Sequence, residues 1–403
     1  RGDPRRSLKN SWLPLAVTLA IQALVSMALL TLPVMAPVVS EAVGVSATYV
    51  GLYVALVYVG AMIASLSSGA AVAHYGAIRV SQIGLLICAL GLSLCALPSL
   101  PLMVAGALLI GLGYGPATPA SSHLLARTTS ADNMSLVFSL KQTGVPLGGV
   151  MAGAVLPGLM LLTNWQVALL VVASACVVCA ALSQFLRRPM DADRDPSQPV
   201  RLSNLAQPIR LILRVPALRL LALCSFLFAL TQLSLVTYLV SYLYEGLSYG
   251  LVAAGFTLSV TQTAGVVGRV FWGWISDRFL GARRMLVLLG ALMALSSLST
   301  AMLSVDSPVW LVWLVLTLFG ASAIGWNGVY LAEVARQAPA GQASLATGGT
   351  LSVTFLGVVL GPPLFGAVCG LFDSYRAGYA SLALPTLVCS MLLMRRRSAQ
   401  HFG

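Results

Sequence analysis

The sequence predicts an all-α membrane protein with twelve transmembrane helices in two six-helix bundles. Three observations carry that prediction. Of the 403 residues, 58% are hydrophobic and 8% charged, where a soluble domain carries about 25% charged residues. A chain this poor in polar groups cannot cover a water-facing surface. The apolar residues also fall into runs of about 20, each long enough to cross roughly 30 Å of hydrocarbon. Finally, the longest polar stretch divides these runs six and six.

The first six runs lie near 13–38, 47–73, 80–98, 102–125, 135–158 and 166–186. The second six lie near 217–243, 250–275, 285–304, 308–333, 348–370 and 379–394. Between them is RRPMDADRDPSQPVRLSNLAQPIRLILRVPALR, rich in proline and holding Asp191, Asp193 and Asp195. It reads as a linker rather than a span. The expected organisation is an N-terminal bundle over 1–186, a cytoplasmic linker over 187–216 and a C-terminal bundle over 217–403. Among the prolines inside spans are Pro33, Pro37, Pro116, Pro119, Pro146, Pro362 and Pro363. Each removes a backbone donor and is expected to kink its helix.

The net charge of +12 raises nucleic-acid binding, but the basic residues are scattered through short loops without a binding motif, so no nucleic acid is expected. They follow the positive-inside rule instead. With the N-terminus cytoplasmic, 20 of the 23 Lys and Arg fall on the cytoplasmic side, Arg376 lies outside, and Lys141 and Arg269 lie within spans. Both termini are therefore expected in the cytoplasm, with the chain in a bacterial inner membrane. The first apolar run is too long for a signal-peptide core. The seven cysteines all sit in apolar runs, and Cys176-x-x-Cys179 has no His or second pair beside it. Small apolar residues account for them, with no metal or other cofactor expected. No H-E-x-x-H, G-x-S-x-G or G-x-x-x-x-G-K-[ST] appears, so the chain is not read as an enzyme.

The two halves echo each other. GAAVAHYGAIR (69–79) follows span two, and GWISDRFLGAR (273–283) follows span eight. GLGYGPATPASSHLLAR (111–127) ends span four, and GASAIGWNGVYLAEVAR (320–336) ends span ten. A parallel duplication of six spans builds one large transporter fold. On these residues the chain resembles the major facilitator superfamily over essentially its whole length. The segment from Gly273 to Arg284, with Asp277 and Arg278, resembles the superfamily's signature loop with one extra residue before Gly281. In the first half Ala73 and His74 stand where its Asp and Arg are expected. Gly144, Pro146, Gly148 and Gly149 partly match the fifth-helix pattern of exchangers, and GPPLFG (361–366) is a similar element in span eleven. The resemblance implies gating roles for Asp277, Arg278 and Gly273.

Two charges stand out. An ionised side chain at the bilayer centre costs about 2.5–3.5 kcal/mol on insertion scales, yet Lys141 lies in span five and Arg269 in span eight. Each is eight or nine residues from an acid, Asp132 or Asp277. No span carries a carboxylate near its middle: Glu41, Glu245, Asp306 and Asp373 mark one set of ends, Asp277 and Glu333 the other. Two cations without an internal partner are relieved by an anion, most simply the substrate. Two plainer readings compete with this. Lys141 can snorkel to headgroups, and Arg269 can belong to the charge network of the loops.

The run R269-V-F-W-G273-W-I-S-D277 resembles the eighth helix of oxalate/formate exchangers and monocarboxylate transporters. There an Arg four residues before the loop glycine contacts the substrate carboxylate. Their second cation lies on span eleven or span one, which here carry neither Lys nor Arg, so Lys141 would be a relocated partner. The resemblance implies that Arg269 and Lys141, one from each half, clamp a carboxylate by planar fork and by point charge. Gln22, Tyr53, Tyr114, Gln142, Gln232, Tyr238, Gln262, Asn327 and Tyr330 are further candidates to line the substrate cavity, against interhelical hydrogen bonding. His123, near the inner end of span four, is a structural or gating candidate.

The expected function is secondary active transport of small organic anions, mono- or dicarboxylates, by alternating access. The expected partners are that anion, the lipid bilayer, and protons or a counter-anion, with the protein a monomer. A drug/proton antiporter of the same superfamily is the alternative. It would call for a buried acid and for an Arg in span four, where Ala107 stands.

Overall fold

The computed structural model describes residues 4–128, 137, 140–195, 197, 206–339 and 343–395. Among them, twelve helices are long and apolar enough to cross a membrane. They are α1 (Trp12–Val34), α2 (Ala47–Ser65), α3 (Ala77–Cys95), α4 (Leu100–Leu125), α5 (Leu140–Leu162) and α6 (Trp165–Met190). The second set is α7 (Pro216–Gly246), α8 (Leu251–Leu280), α9 (Ala282–Met302), α10 (Val309–Val334), α11 (Gly349–Phe372) and α12 (Tyr375–Met394). Residues 187–190, read from sequence as linker, continue α6.

The chain forms two compact units, residues 1–45 with 56–203, and residues 46–55 with 204–403. In the first, α5 packs on α1, while α3 packs on α4 and α6. In the second, α11 packs on α7, α9 on α10 and α12, and α8 on α10. The pairs α1/α5, α3/α4 and α3/α6 recur six helices later as α7/α11, α9/α10 and α9/α12. The repeat visible in the sequence is thus a repeat of packing.

Small residues allow these approaches. A Cβ on Gly84 of α3 would lie 2.6 Å from the Gly113 carbonyl of α4, too close for any other residue. Without a hydrophobic force between helices in lipid, such backbone contact carries their association.

Both long repeat segments break where they correspond. The helix Leu100–Tyr114 stops at Gly115–Pro116 and restarts as Ala117–Thr128. Val309–Gly325 stops at Trp326 and restarts as Asn327–Gln337. Pro116 explains the first break, since it cannot donate to the preceding turn. The second has no proline. Met35, between Pro33 and Pro37, separates α1 from the short helix Ala36–Val43. Pro362 and Pro363 sit inside the unbroken helix Ala343–Phe372.

The extra residue of the signature loop has a local explanation. α8 closes in a π-turn over Ser276–Leu280, with Gly281 N–H donating to the Ser276 carbonyl at 2.8 Å. At the matching place in the first half, Gly76 N–H donates to Val72, four residues back, at 2.8 Å. One wider ring absorbs one residue. Both glycines then take positive φ, 94° at Gly76 and 74° at Gly281, where a side chain is strained.

Candidate functional site

Lys141 lies one residue into α5 and is 1% exposed. Its Nζ donates to the Thr118 carbonyl at 3.0 Å and to Ser122 Oγ at 2.5 Å. Both acceptors lie on the part of α4 that restarts after Pro116. Thr118 Oγ1 in turn donates to Gln22 Oε1 of α1 at 3.1 Å. Gln22 Nε2 donates to Ser26 Oγ at 3.5 Å. A side chain at Gly144, one turn on from Lys141, would strike Gln22. These bonds place the ammonium in a polar group drawn from α1, α4 and α5. Gln142 is half-buried beside it in the chain. Tyr114 packs edge-on against Tyr58, with centroids 5.8 Å apart.

Arg269 is half-buried on α8. Its Nε donates to the Ile324 carbonyl at 3.0 Å, two residues before the break in α10. Asn327 Nδ2 reaches the same carbonyl at 3.4 Å and Gln232 Oε1 at 3.4 Å. Trp326 Nε1 donates to Gln232 Oε1 at 3.0 Å, and its ring packs edge-on to Phe228 and Tyr330 at 5.5 and 5.2 Å. The interrupted helix thus assembles Arg269, Gln232, Trp326, Asn327 and Tyr330 in one polar and aromatic group of the second unit. Trp272 Nε1 adds a bond to the Ala321 carbonyl at 2.8 Å, fixing α8 on α10. Gln262 is buried further along α8.

The structure brings together Gln22 with Lys141, and Gln232, Asn327 and Tyr330 with Arg269. Tyr238 stands elsewhere. Its hydroxyl donates toward the Thr48 carbonyl at 2.5 Å and the Pro362 carbonyl at 3.0 Å, and it accepts from Gly51 N–H at 3.1 Å. It pins the start of α2 within the second unit. Tyr53 is buried one turn along that start.

At the helix ends, Asp277 pairs with Arg336 beyond α10 at 3.9 Å, and Arg336 also meets Glu333 at 3.9 Å. Arg278 is exposed, and a Cβ added at Gly273 would meet open space. Asp132 lies outside the described residues.

The first unit uses acids that the loop motif does not contain. The buried Asp191 carboxylate accepts Ile78 N–H at 2.8 Å and Arg79 N–H at 3.0 Å, capping α3, with Arg187 Nε 3.7 Å away. Asp193 accepts from His123 Nε2 at 2.6 Å and pairs with Arg127, which also donates to the Met190 carbonyl. Burial raises the Asp193 pKa, but the His123 hydrogen bond and the Arg127 guanidinium outweigh it and hold the carboxyl below its ordinary value. Sequence reasoning placed both acids in a linker. The buried α6 end and the Arg at each repeat's end were the available signals. Thr118, Ser122 and Trp326 were also missed, and only their nearness to the repeat's Gly-Pro and Gly-Trp steps pointed to them.

Two compact units with matching helix pairings, each carrying a cation and a broken helix within its spans, define a twelve-helix membrane transporter. The chain belongs to the Major Facilitator Superfamily, whose family description it matches over residues 17–353. It is 24% identical over 370 residues to a gentisate transporter of Corynebacterium glutamicum, covering 88% of this chain and 79% of that one. A mutant of the nucleoside transporter NupG superposes with a TM-score of 0.77 at 15% identity, over 94% of this chain and 99% of that. A POT family transporter in complex with 5-aminolevulinic acid gives 0.76 at 13% identity, over 94% and 95%. At these identities the structures speak to the fold alone.

Proposed function

We propose that this transporter carries small organic anions, mono- or dicarboxylates, and that Lys141 and Arg269 are its carboxylate-binding residues. The observation that carries the reading is Lys141, an ammonium buried within a membrane span, which donates to the Thr118 carbonyl and to Ser122 Oγ. An ionisable residue within a span is a marker of a substrate or ion pathway, and a carboxylate is the natural ligand of an ammonium. Arg269, whose Nε donates to the Ile324 carbonyl, supplies a planar guanidinium suited to carboxylate. The gentisate transporter among its relatives supports an aromatic acid, and Trp326 and Tyr330 beside Arg269's group suit an aromatic ring.

The transport cycle is alternating access of the two six-helix bundles, joined by a linker over 187–216, with Asp277, Arg278 and Gly273 in gating. The protein is a monomer of the bacterial inner membrane with both termini cytoplasmic. With no carboxylate near the middle of a span, coupling runs by anion exchange or by protons entering with the substrate. The test is a thermal-shift screen of purified protein against gentisate and a panel of mono- and dicarboxylates. A ligand of the folded state raises Tm, and the stabilising acid should then support counterflow in proteoliposomes. Stabilisation by organic cations, with none by any carboxylate, would overturn the proposal.

A further inference from the structure

The polar stretch before α7 contains a short helix, Ala206–Arg214, whose sides differ sharply. Ile212 is 4% exposed, and the helix packs on α7 and on the helix Ala343–Phe372. On the adjoining side, Ile209 is 37% and Leu213 62% exposed. Arg210 and Arg214, each one residue further on, are exposed as well. At 100° per residue, Ile209 and Leu213 form one strip and Arg210 and Arg214 the strip beside it. The helix is thus divided lengthwise into a buried edge, an open apolar strip and a basic strip.

Its position decides what meets that surface. Only Val215 separates the helix from Pro216, the first residue of α7, and one residue spans at most about 3.6 Å. The helix therefore lies at the membrane boundary, where α7 enters the bilayer. Arg219, in the first turn of α7, adds a third exposed guanidinium. Apolar side chains beside arginines at that depth match the pattern of interfacial helices, with apolar groups at the acyl boundary and cations among phosphates.

We propose that Ala206–Arg214 is an interfacial helix that binds anionic phospholipid headgroups through Arg210, Arg214 and Arg219, with Ile209 and Leu213 in the acyl region. The occupant is a lipid because guanidinium and exposed leucine are side by side: the first is met by phosphate, the second by hydrocarbon. A soluble anion satisfies only the first. The inference is independent of the transported substrate.

Two measurements test it on the full-length protein in bilayers. A spin label at Leu213→Cys, with the seven native cysteines replaced, should collide more with oxygen than with a water-soluble nickel chelate. The reverse order would overturn the apolar contact. Separately, Tm should rise by at least about 2–4 °C, the response of a large domain to a modest stabilisation, when phosphatidylglycerol replaces part of a phosphatidylcholine bilayer. The Arg210→Gln/Arg214→Gln/Arg219→Gln variant, folded in phosphatidylcholine with wild-type Tm, should lose that rise. An equal rise in wild type and variant would overturn the headgroup contact. So would an equal response to inorganic phosphate in phosphatidylcholine alone.

Discussion

Lys141→Met separates substrate binding from structural support. Methionine keeps the length and much of the volume of the lysine stem while deleting the ammonium. The acceptors it leaves are not stranded: Ser122 lies four residues after Thr118, so its hydroxyl can turn onto that carbonyl, as serines in helices do. Taking an ammonium out of water costs several kcal/mol, a cost that an apolar residue of similar size does not incur and that offsets the hydrogen bonds lost. Tm should therefore hold or rise. Binding should behave oppositely, because truncating one partner of a buried charge pair costs about 2–5 kcal/mol. That corresponds to a loss of about 30- to 4,000-fold in affinity. Titration of purified protein with the best carboxylate from the screen, alongside a melting curve, reads both quantities. A lower Tm with affinity within threefold of wild type would refute the reasoning, making Lys141 a tie between α5 and α4.

Arg269→Lys should weaken carboxylate binding by about tenfold or more, since it removes the fork and the Nε contact with Ile324 while keeping the charge; an unchanged Kd would exclude Arg269. Asp191→Ala strips a buried carboxylate from two N–H groups of α3 and should cost about 3–5 kcal/mol in unfolding free energy, whereas a loss below about 1 kcal/mol would reduce it to an ordinary turn residue. Asp193 has a depressed folded-state pKa, so its contribution is present above the unfolded value of about 3.9 and is lost as pH falls through the folded value. Asp193→Asn should flatten that acid limb of the Tm profile, by well under about 1 kcal/mol after solvent screening; a profile parallel to wild type would show no net contribution. Asp277 is 78% exposed, so Asp277→Asn should change stability by no more than about 1 kcal/mol. Its effect belongs in the labelling rate of cysteines introduced at the helix ends around Asp277, which should rise if Asp277 helps to keep that end closed; an unchanged or slower rate would make it only a loop charge.

Hydropathy made the twelve spans legible, because a run of about 20 apolar residues has few other structural outcomes. The repeat motifs made their pairing legible too, since duplicated segments fold alike. The break at Gly115–Pro116 followed from proline chemistry, while that at Trp326 was not foreseeable. Its Gly325-Trp326-Asn327 has no forbidden donor, and the indole's bond to Gln232 is a tertiary event. Lys141 and Arg269 were conspicuous as charges in apolar surroundings. Their partners were not, because two of the acceptors, at Thr118 and Ile324, are backbone carbonyls. Every residue has one, so a sequence cannot mark which will be used. Asp191 was hidden for a related reason: an acid among prolines and arginines reads as solvated until a neighbouring helix presents its amides.

The π-turn at Ser276–Leu280 gives the two halves different arithmetic. Counting residues outward from Gly76 and from Gly281 keeps the halves aligned in one direction, but counting backward slips by one as soon as the wide ring is crossed. Any exchange of segments between the halves must therefore cut on the Gly281 side, or carry the ring with it. A graft that ignores the ring would arrive one residue out of phase, about 100° around the helix. Arg269, seven residues before Ser276, would then leave the carbonyl of Ile324 and face a different neighbour.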